Sequence, residues 1–412
     1  RSEIVIPPEP LPQVRFAARE LQDHLEKISG AVVPIVNEPS GEDVFPIYVG
    51  ERAETRALGV SLEKLPMEGY RVVASDKALV LAGRDAVFGA TPKGFESSDD
   101  IPRLTEEWQK YTGKQWTLPR IGLYDPRNQS KETGFSLYDP TGTLFAVYDF
   151  LEQLGVRWYY PDTATGTIIP EQRTISIDDE DRSRAPVFSR RFMRWTFPAA
   201  DPEGFLWFKR QKLGMSEMVW FCHGTPYVTS LQMETHPEFA AQIGGQMKVN
   251  VKGDRKTPAP RLAAPLRDEM IDFADKFFQW CPQLNTWPAA PADGFVQIDD
   301  RDRAAGWDRK ALGDRRRFSD YIWNFVNEVA RGVARQHPDK FVMGLAYSQG
   351  RGLPEEIEKL EPNVGVVYCQ TRSLEMIDPA RREDIRKERN EWIARMGNRE
   401  FYIWEYYLNH QE

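Results

Sequence analysis

Three short apolar runs decide the fold: Phe341-Val-Met-Gly-Leu-Ala-Tyr347, Val364-Gly-Val-Val-Tyr-Cys369 and Glu400-Phe-Tyr-Ile-Trp-Glu-Tyr406. Each is close to continuously apolar, as strands covered on both faces must be, and helix-patterned segments separate them. Strand–helix alternation of this kind requires crossover connections and therefore parallel pairing. Working upstream, the same rhythm gives strands at Gly294–Ile298, Met218–Cys222 and Phe188–Trp195. The helices between them are Gly204–Leu213, Leu266–Trp280, Arg315–Gln336, Pro354–Leu360 and Ala380–Met396. Arg261–Ala264 is a candidate seventh strand. A (β/α)8 barrel needs eight strands. Residues 181–412 are therefore expected to form a TIM-type barrel cut off before its last βα unit.

Residues 1–180 read as a small α+β domain, so the whole chain is α/β in class. Arg15–Ile28 is an amphipathic helix with Phe16, Leu21, Leu25 and Ile28 on one face and Gly30 as its stop. Val32–Val36 and Phe45–Val49 are strand-like, and Gly69–Ser75 with Ala78–Ala82 reads as a hairpin. Residues 88–139 are polar and rich in Gly and Pro without a sustained period, which predicts an inserted loop. Thr141–Leu154 is the next helix, and Val156–Tyr160 with Thr174–Ile177 is expected to close the sheet. The charged stretch Asp178–Arg184 reads as a linker.

Charge excludes one class of function. With 54 Lys+Arg against 62 Asp+Glu, the net charge is −8, which opposes binding by phosphate neutralisation and hence a nucleic-acid partner. No apolar run is long enough to span a membrane. Cys222, Cys281 and Cys369 are widely spaced and in no ligand pattern, so they read as buried free thiols; no metal or cofactor is expected. The chain starts at Arg1 rather than Met, as expected of a mature or trimmed form. Twelve tryptophans and fifteen tyrosines are many for the length.

In a parallel barrel, chemistry collects at the C-terminal ends of strands. Asp299 and Asp300 follow Gly294–Ile298, and Glu405 and Tyr406 end the last run. His223 follows Met218–Cys222, Tyr347 follows Phe341–Ala346, Gln370 follows Val364–Cys369, and Arg194 with Trp195 ends the first strand. Two carboxylates at strand ends suit glycoside hydrolysis, in which one protonates the leaving oxygen and the other activates water or attacks carbon. Asp300 and Glu405 are the expected catalytic pair. His223, Tyr347, Trp195, Arg194, Gln370, Asp299 and Tyr406 are expected to line a sugar site. The competing reading of Asp299 and Asp300 is structural: a helix cap, paired with Arg301 or Arg303. His236, in Thr235-His236-Pro237-Glu238, suits a turn opening a short helix.

The helix Phe16–Ser29 with Gly30 and the following Val32-Val-Pro-Ile-Val36 resembles the N-terminal domain that precedes the barrel in α-glucuronidases and β-hexosaminidases. Gly142-Thr-Leu-Phe-Ala-Val-Tyr-Asp-Phe-Leu-Glu-Gln-Leu-Gly-Val-Arg-Trp-Tyr-Tyr-Pro161 resembles the segment that closes it. Further on, His223, His236-Pro-Glu-Phe239, Leu262-Ala-Ala-Pro265, Gly294-Phe-Val-Gln-Ile-Asp-Asp300 and Trp404-Glu-Tyr-Tyr407 resemble a bacterial family known as domain of unknown function 4838. That resemblance implies a glycoside-hydrolase-type barrel from polysaccharide-degrading bacteria. It places Asp300 on the family's acidic residue, where Asp299 replaces an Asn, and Glu405 on a late-strand carboxylate. Arg301–Trp307 stands where the family often has a cysteine cluster, so no thiol role carries over.

The expectation is a secreted or periplasmic, exo-acting glycoside hydrolase. Its substrate would be a plant or algal polysaccharide, including uronic-acid-containing or sulfated ones. Two alternatives stay open: a non-catalytic carbohydrate-binding barrel, and a uronic-acid polysaccharide lyase with His223 and Tyr347 as its acid–base groups.

Overall fold

The computed structural model describes residues 1–406 other than 42, 89–99, 119–129, 131, 162, 193–201, 233–234, 248 and 253–254. The chain divides into two compact units, Arg1–Asp100 with Ile121–Glu217, and Ile101–Arg120 with Met218–Glu412. The division thus falls at Glu217/Met218 rather than at 180. Phe205 and Phe208, from the helix Pro202–Arg210, join the first unit's core and carry the chain's membership past that point.

The first unit is a six-stranded mixed sheet in the order 35–36, 2–5, 45–49, 79–83, 70–74, 180–184. The helix Pro12–Ser29 buries Phe16, Ala17, Leu21, Leu25 and Ile28. It ends at Gly30, whose φ of 78° is the left-handed cap that glycine adopts without strain. The helix Gly142–Gln153 packs beside it against the same core. Tyr70–Ala74 and Leu79–Gly83 form the expected hairpin.

The last strand corrects two expectations. Thr174–Ile177 does not close the sheet, and Glu180–Arg184, read as a linker, pairs antiparallel with Tyr70–Ala74 at its edge. Its charges misled the reading, yet Arg182 and Arg184 have a purpose. Both reach the buried Asp149 carboxylate, at 2.8 and 2.9 Å. Charged residues on an edge strand also discourage further strand pairing.

The second unit holds the parallel sheet. Its strands are β1 (Thr286–Pro288), β2 (Phe341–Ala346), β3 (Val364–Thr371) and β4 (Phe401–Tyr406), hydrogen-bonded in that order and all parallel. Helices α1 (Ala264–Trp280), α2 (Ser319–Ala334) and α3 (Pro379–Met396) supply its helical layer. The segment 218–223 runs beside β1 as a fifth, irregular member. Asn285 N–H donates to Met218 O, the Thr286 hydroxyl exchanges hydrogen bonds with the Trp220 backbone, and His223 bridges to Ala290 in parallel.

Among the described residues no closed eight-stranded barrel forms. Gly294–Ile298 is not a strand: Phe295 and Ile298 are buried while Val296 is exposed, a spacing that strand alternation cannot produce. Of the expected strand Phe188–Trp195, the described residues supply Arg190–Arg191, antiparallel to Gly214–Met215 within the first unit. Of Arg261–Ala264, the first three residues are irregular chain and Ala264 already begins α1, and Pro354–Leu360 contains no helix. Within the parallel sheet, β1 has no counterpart in the expected strands; it is three residues long and contains Pro288.

The region 88–139 also departs from expectation. Ile101–Thr112 is an amphipathic helix belonging to the second unit, and it buries Leu104 and Trp108. Trp108 lies 5.3 Å from Phe273 and Trp116 lies 4.7 Å from it, ring to ring, so an aromatic cluster fixes this excursion to α1. The Trp116 indole N–H donates to Glu269.

Candidate functional site

Side chains alternate across a strand, so each strand of the sheet sends one set of residues to the helical layer and the other to the opposite, inner face. Trp404 and Tyr402 of β4 meet Phe221, with ring centroids 6.0 and 5.3 Å apart. These rings share a core with Leu345, Tyr347 and Val367, which identifies the inner face. Phe221, Tyr347, Tyr402 and Trp404 are only partly buried on it.

Four polar groups converge at the C-terminal end of this face. His223 ends the segment 218–223, Asp293 follows β1 by five residues, Tyr347 follows β2, and Tyr406 ends β4. His223 Nε2 is 4.0 Å from Asp293 Oδ1, and the His223 and Tyr347 rings are 6.2 Å apart. Burial, together with the nearby Asp293 carboxylate, pushes the Tyr347 phenol's pKa up. Burial also raises Tyr406, with Cys369, Tyr347 and Asp293 contributing. Both phenols therefore stay protonated at neutral pH and act as donors. Cys369 sits beneath them at 5% exposure, its thiol pushed up to about 12 by burial, so it is not a thiolate nucleophile.

Local backbone holds these groups. Gly224 passes so close to the Pro288 carbonyl that a Cβ would collide with it, and this contact brings His223 against β1. Ser348, directly after Tyr347, has φ 52°, a left-handed conformation costly for a non-glycine residue and frequent at functional sites.

The structure separates the expected site residues. His223, Tyr347 and Tyr406 are together. Asp300 is the first residue of the short helix Asp300–Ala304, not a strand end; its carboxylate accepts from Gly244 N–H at 2.6 Å and from Arg303 at 3.0 Å. Asp299 caps that helix by accepting from Arg301 N–H, and it is fully buried. Burial opposes its charge, but hydrogen bonds from the Arg301 side chain and from the Gln242 and Arg301 N–H groups outweigh it. They hold the carboxyl below the usual carboxylate range.

Glu405 does lie near the end of a strand, one residue before Tyr406, but it faces the helical layer. It lies opposite Gln370 in the β3–β4 register, accepts from Gln370 Nε2 at 2.7 Å and pairs with Arg372. Arg389 of α3 reaches the same glutamine. Arg194 and Trp195 lie outside the described residues. His236 precedes the 3-10 turn Pro237–Phe239 and pairs with Glu238. Glu20, Asp23 and His24, in the first unit, lie close enough to share an ion, but Glu20 already bonds Arg210 and the Tyr148 hydroxyl.

Asp293 was not singled out from the sequence. Reading Gly294–Ile298 as the strand put it ahead of a strand instead of behind one. The usable signal was Thr286-Trp-Pro288, a short run with β-branched and aromatic residues leading into Ala-Ala-Pro-Ala-Asp293.

The second unit is thus a parallel α/β assembly with polar groups gathered at its strand ends. Residues 160–412 match the model of a protein family described as domain of unknown function DUF4838, and the chain belongs to that family. No curated protein sequence matches the chain. It is similar to a GH138 enzyme targeting pectin rhamnogalacturonan II, at 11% identity and a TM-score of 0.36 over 98% of this chain and 57% of that one. A family GH115 4-O-methyl-α-glucuronidase with specificity for decorated arabinogalactans is similar at 13% identity and TM-score 0.39, over 98% and 54%. The GH20 β-N-acetylhexosaminidase from Streptomyces coelicolor A3(2) is similar at 11% and 0.37, over 98% and 70%. The chain spans little more than half the length of the first two.

Proposed function

We propose that the second unit is a carbohydrate-active site that cleaves glycosidic bonds of a polysaccharide, with Asp293 in the acid–base role first expected of Asp300 and Glu405. The observation that carries this reading is the convergence of Asp293, Tyr347, His223 and Tyr406 at the strand ends beside the partly exposed Phe221, Tyr402 and Trp404 rings. Aromatic faces with a few placed polar groups suit a sugar, whose C–H faces stack while its hydroxyls hydrogen-bond. The Asp293 carboxyl moves a proton at the glycosidic oxygen or at the attacking water, and the Tyr347 hydroxyl steadies its ionised form by donating to it. An exo-acting enzyme working outside the cytoplasm on plant or algal polysaccharide remains the preferred setting.

The test is a screen of the chain on neutral, uronic-acid and sulfated oligosaccharides, with products weighed by mass spectrometry. Hydrolysis abolished by Asp293→Asn supports the reading; hydrolysis that survives the substitution overturns the assignment of Asp293. The pairing of His223 with Tyr347 also suits β-elimination from a uronic acid. An unsaturated, ultraviolet-absorbing product would select that second reading over hydrolysis.

A further inference from the structure

The His223 ring is held in one tautomer. Its Nδ1 lies 2.6 Å from the carbonyl oxygen of Pro291. A carbonyl oxygen can only accept, so Nδ1 carries the hydrogen. The backbone repeats this attachment: His223 bridges to Ala290, and Gly224 N–H donates to Ala290 O at 2.9 Å. One short stretch, 290–293, thus holds the ring on one side and presents the Asp293 carboxylate to the other nitrogen.

Nε2 and Asp293 Oδ1 are 4.0 Å apart. That is too far for a direct hydrogen bond. It is a fitting separation for two groups that share a third. An oxygen placed about 2.8 Å from each would see them roughly 90° apart, near the angle between a hydroxyl's hydrogen and its lone pairs. Both groups carry intermediate side-chain exposure, 23% for His223 and 31% for Asp293, so an oxygen can reach them.

Resting on the carbohydrate reading above, we propose that His223 and Asp293 clamp a single sugar hydroxyl between them, with His223 as a positioning residue fixed through Pro291. With the carboxylate ionised, the protons balance on the imidazolium, the form of His223 that carries hydrogen on both ring nitrogens. Nε2–H donates to the hydroxyl oxygen, the hydroxyl hydrogen goes to Asp293, and Nδ1–H stays on Pro291. No bond is made or broken. The clamp fixes where the sugar ring sits relative to the carboxyl that moves protons.

Two measurements test this. Nitrogen-15 histidine spectra of the full chain, assigned with His223→Gln, are expected to show Nδ1 protonated at every pH at which the chain is folded. A neutral His223 carrying its hydrogen on Nε2 would overturn the proposal. The same resonance is then followed while methyl glycosides of common hexoses, pentoses and uronic acids are titrated in. At least one is expected to move Nε2, and Asp293→Asn is expected to weaken that binding at least tenfold. If no glycoside moves Nε2, or if Asp293→Asn leaves the binding unchanged, the clamp is overturned.

A kinetic variant separates positioning from folding. The Asn carboxamide in His223→Asn can keep the hydrogen bond to Pro291 while placing nothing at Nε2. Its Tm is expected to match the wild type while KM for the substrate found by screening rises tenfold or more; an unchanged KM overturns the clamp. Turnover of a glycan without any effect on Nε2 would sink the clamp and spare the hydrolase reading. A glycoside that moves Nε2 without any glycan being turned over would do the reverse.

Discussion

Two clusters, one in each unit, treat ionisable groups in opposite ways. In the first, Lys209 and Glu68 are completely buried, with Arg191, Asp85 and Asp139 close by. Lys209 Nζ donates to the Asp139 carbonyl at 3.0 Å, and Glu68 pairs with Arg191 at 2.8 Å. In the second, Asp293 and His223 stand 4.0 Å apart, unsealed, at the ends of parallel strands. Perturbed groups occur in both places, so perturbation alone does not mark a site. Access does. A sealed charge cluster holds its own chain together, whereas groups left open on a rigid sheet can serve a ligand.

The largest effect expected is on the open side. Asp293→Asn should lower turnover by roughly 10²–10⁴-fold and move Tm by no more than about 2 °C, measured by steady-state kinetics and thermal melts. The sealed side should respond in the other currency. Lys209→Ala removes one of the two cations, Lys209 and Arg191, that face the buried carboxylates, which should cost on the order of 3–5 kcal/mol and roughly 10 °C in Tm. A melt unchanged by that substitution would mean the cluster is not holding the first unit together.

A smaller effect should show in the pH dependence. Burial raises Asp85 to about 7 from 3.8. The unfolded chain ionises this group near pH 4 and the folded chain near 7, so its contribution to stability is complete below 4 and lost as pH rises through 7. Lys209, lowered to about 8 by burial, runs the other way, its contribution recovering as pH climbs from 8 past 10. Asp85→Asn keeps an acceptor for Thr143 N–H and removes the charge. Its Tm should match the wild type near pH 4 and exceed it increasingly towards pH 7, by the equivalent of a few kcal/mol. Parallel curves would show that Asp85 does not carry this linkage.

Legibility in the sequence followed the strength of local patterning. Pro12–Ser29, the Tyr70–Gly83 hairpin, α1, α2, α3 and strands β2 to β4 have periodic or continuously apolar signatures, and the reading located them. β1 carries no such signature: it is three residues long, contains proline, and is held partly by the Thr286 hydroxyl in place of backbone pairing. Losing β1 drew attention to Asp300 and passed over Asp293, the carboxyl proposed above. The helix Ile101–Thr112 hid in polar surroundings because only Leu104 and Trp108 are buried, and the residues that make them core, Phe273 and Phe277, lie far along the chain. His223, Tyr347 and Tyr406 were legible because each directly follows an apolar run. Which face Glu405 takes was not, since it depends on the register with β3 and on where Phe221 meets β4.

The smallest effects expected are also the most discriminating. Asp300→Asn keeps an oxygen for Gly244 N–H, and its partner Arg303 is 42% exposed, so the lost ion pair is a weak surface one. Glu405→Gln keeps an acceptor for Gln370 on the helical side of the sheet. Neither side chain belongs to the inner-face cluster, so each variant should retain turnover within about threefold of wild type, against a loss of roughly 10² or more for Asp293→Asn. The three enzymes should be compared on one substrate at one pH, with melts to confirm folding. If Asp300→Asn or Glu405→Gln instead falls by two orders of magnitude while remaining folded, the reacting carboxyl is not Asp293. The strand-end cluster would then be a binding surface beside the chemistry.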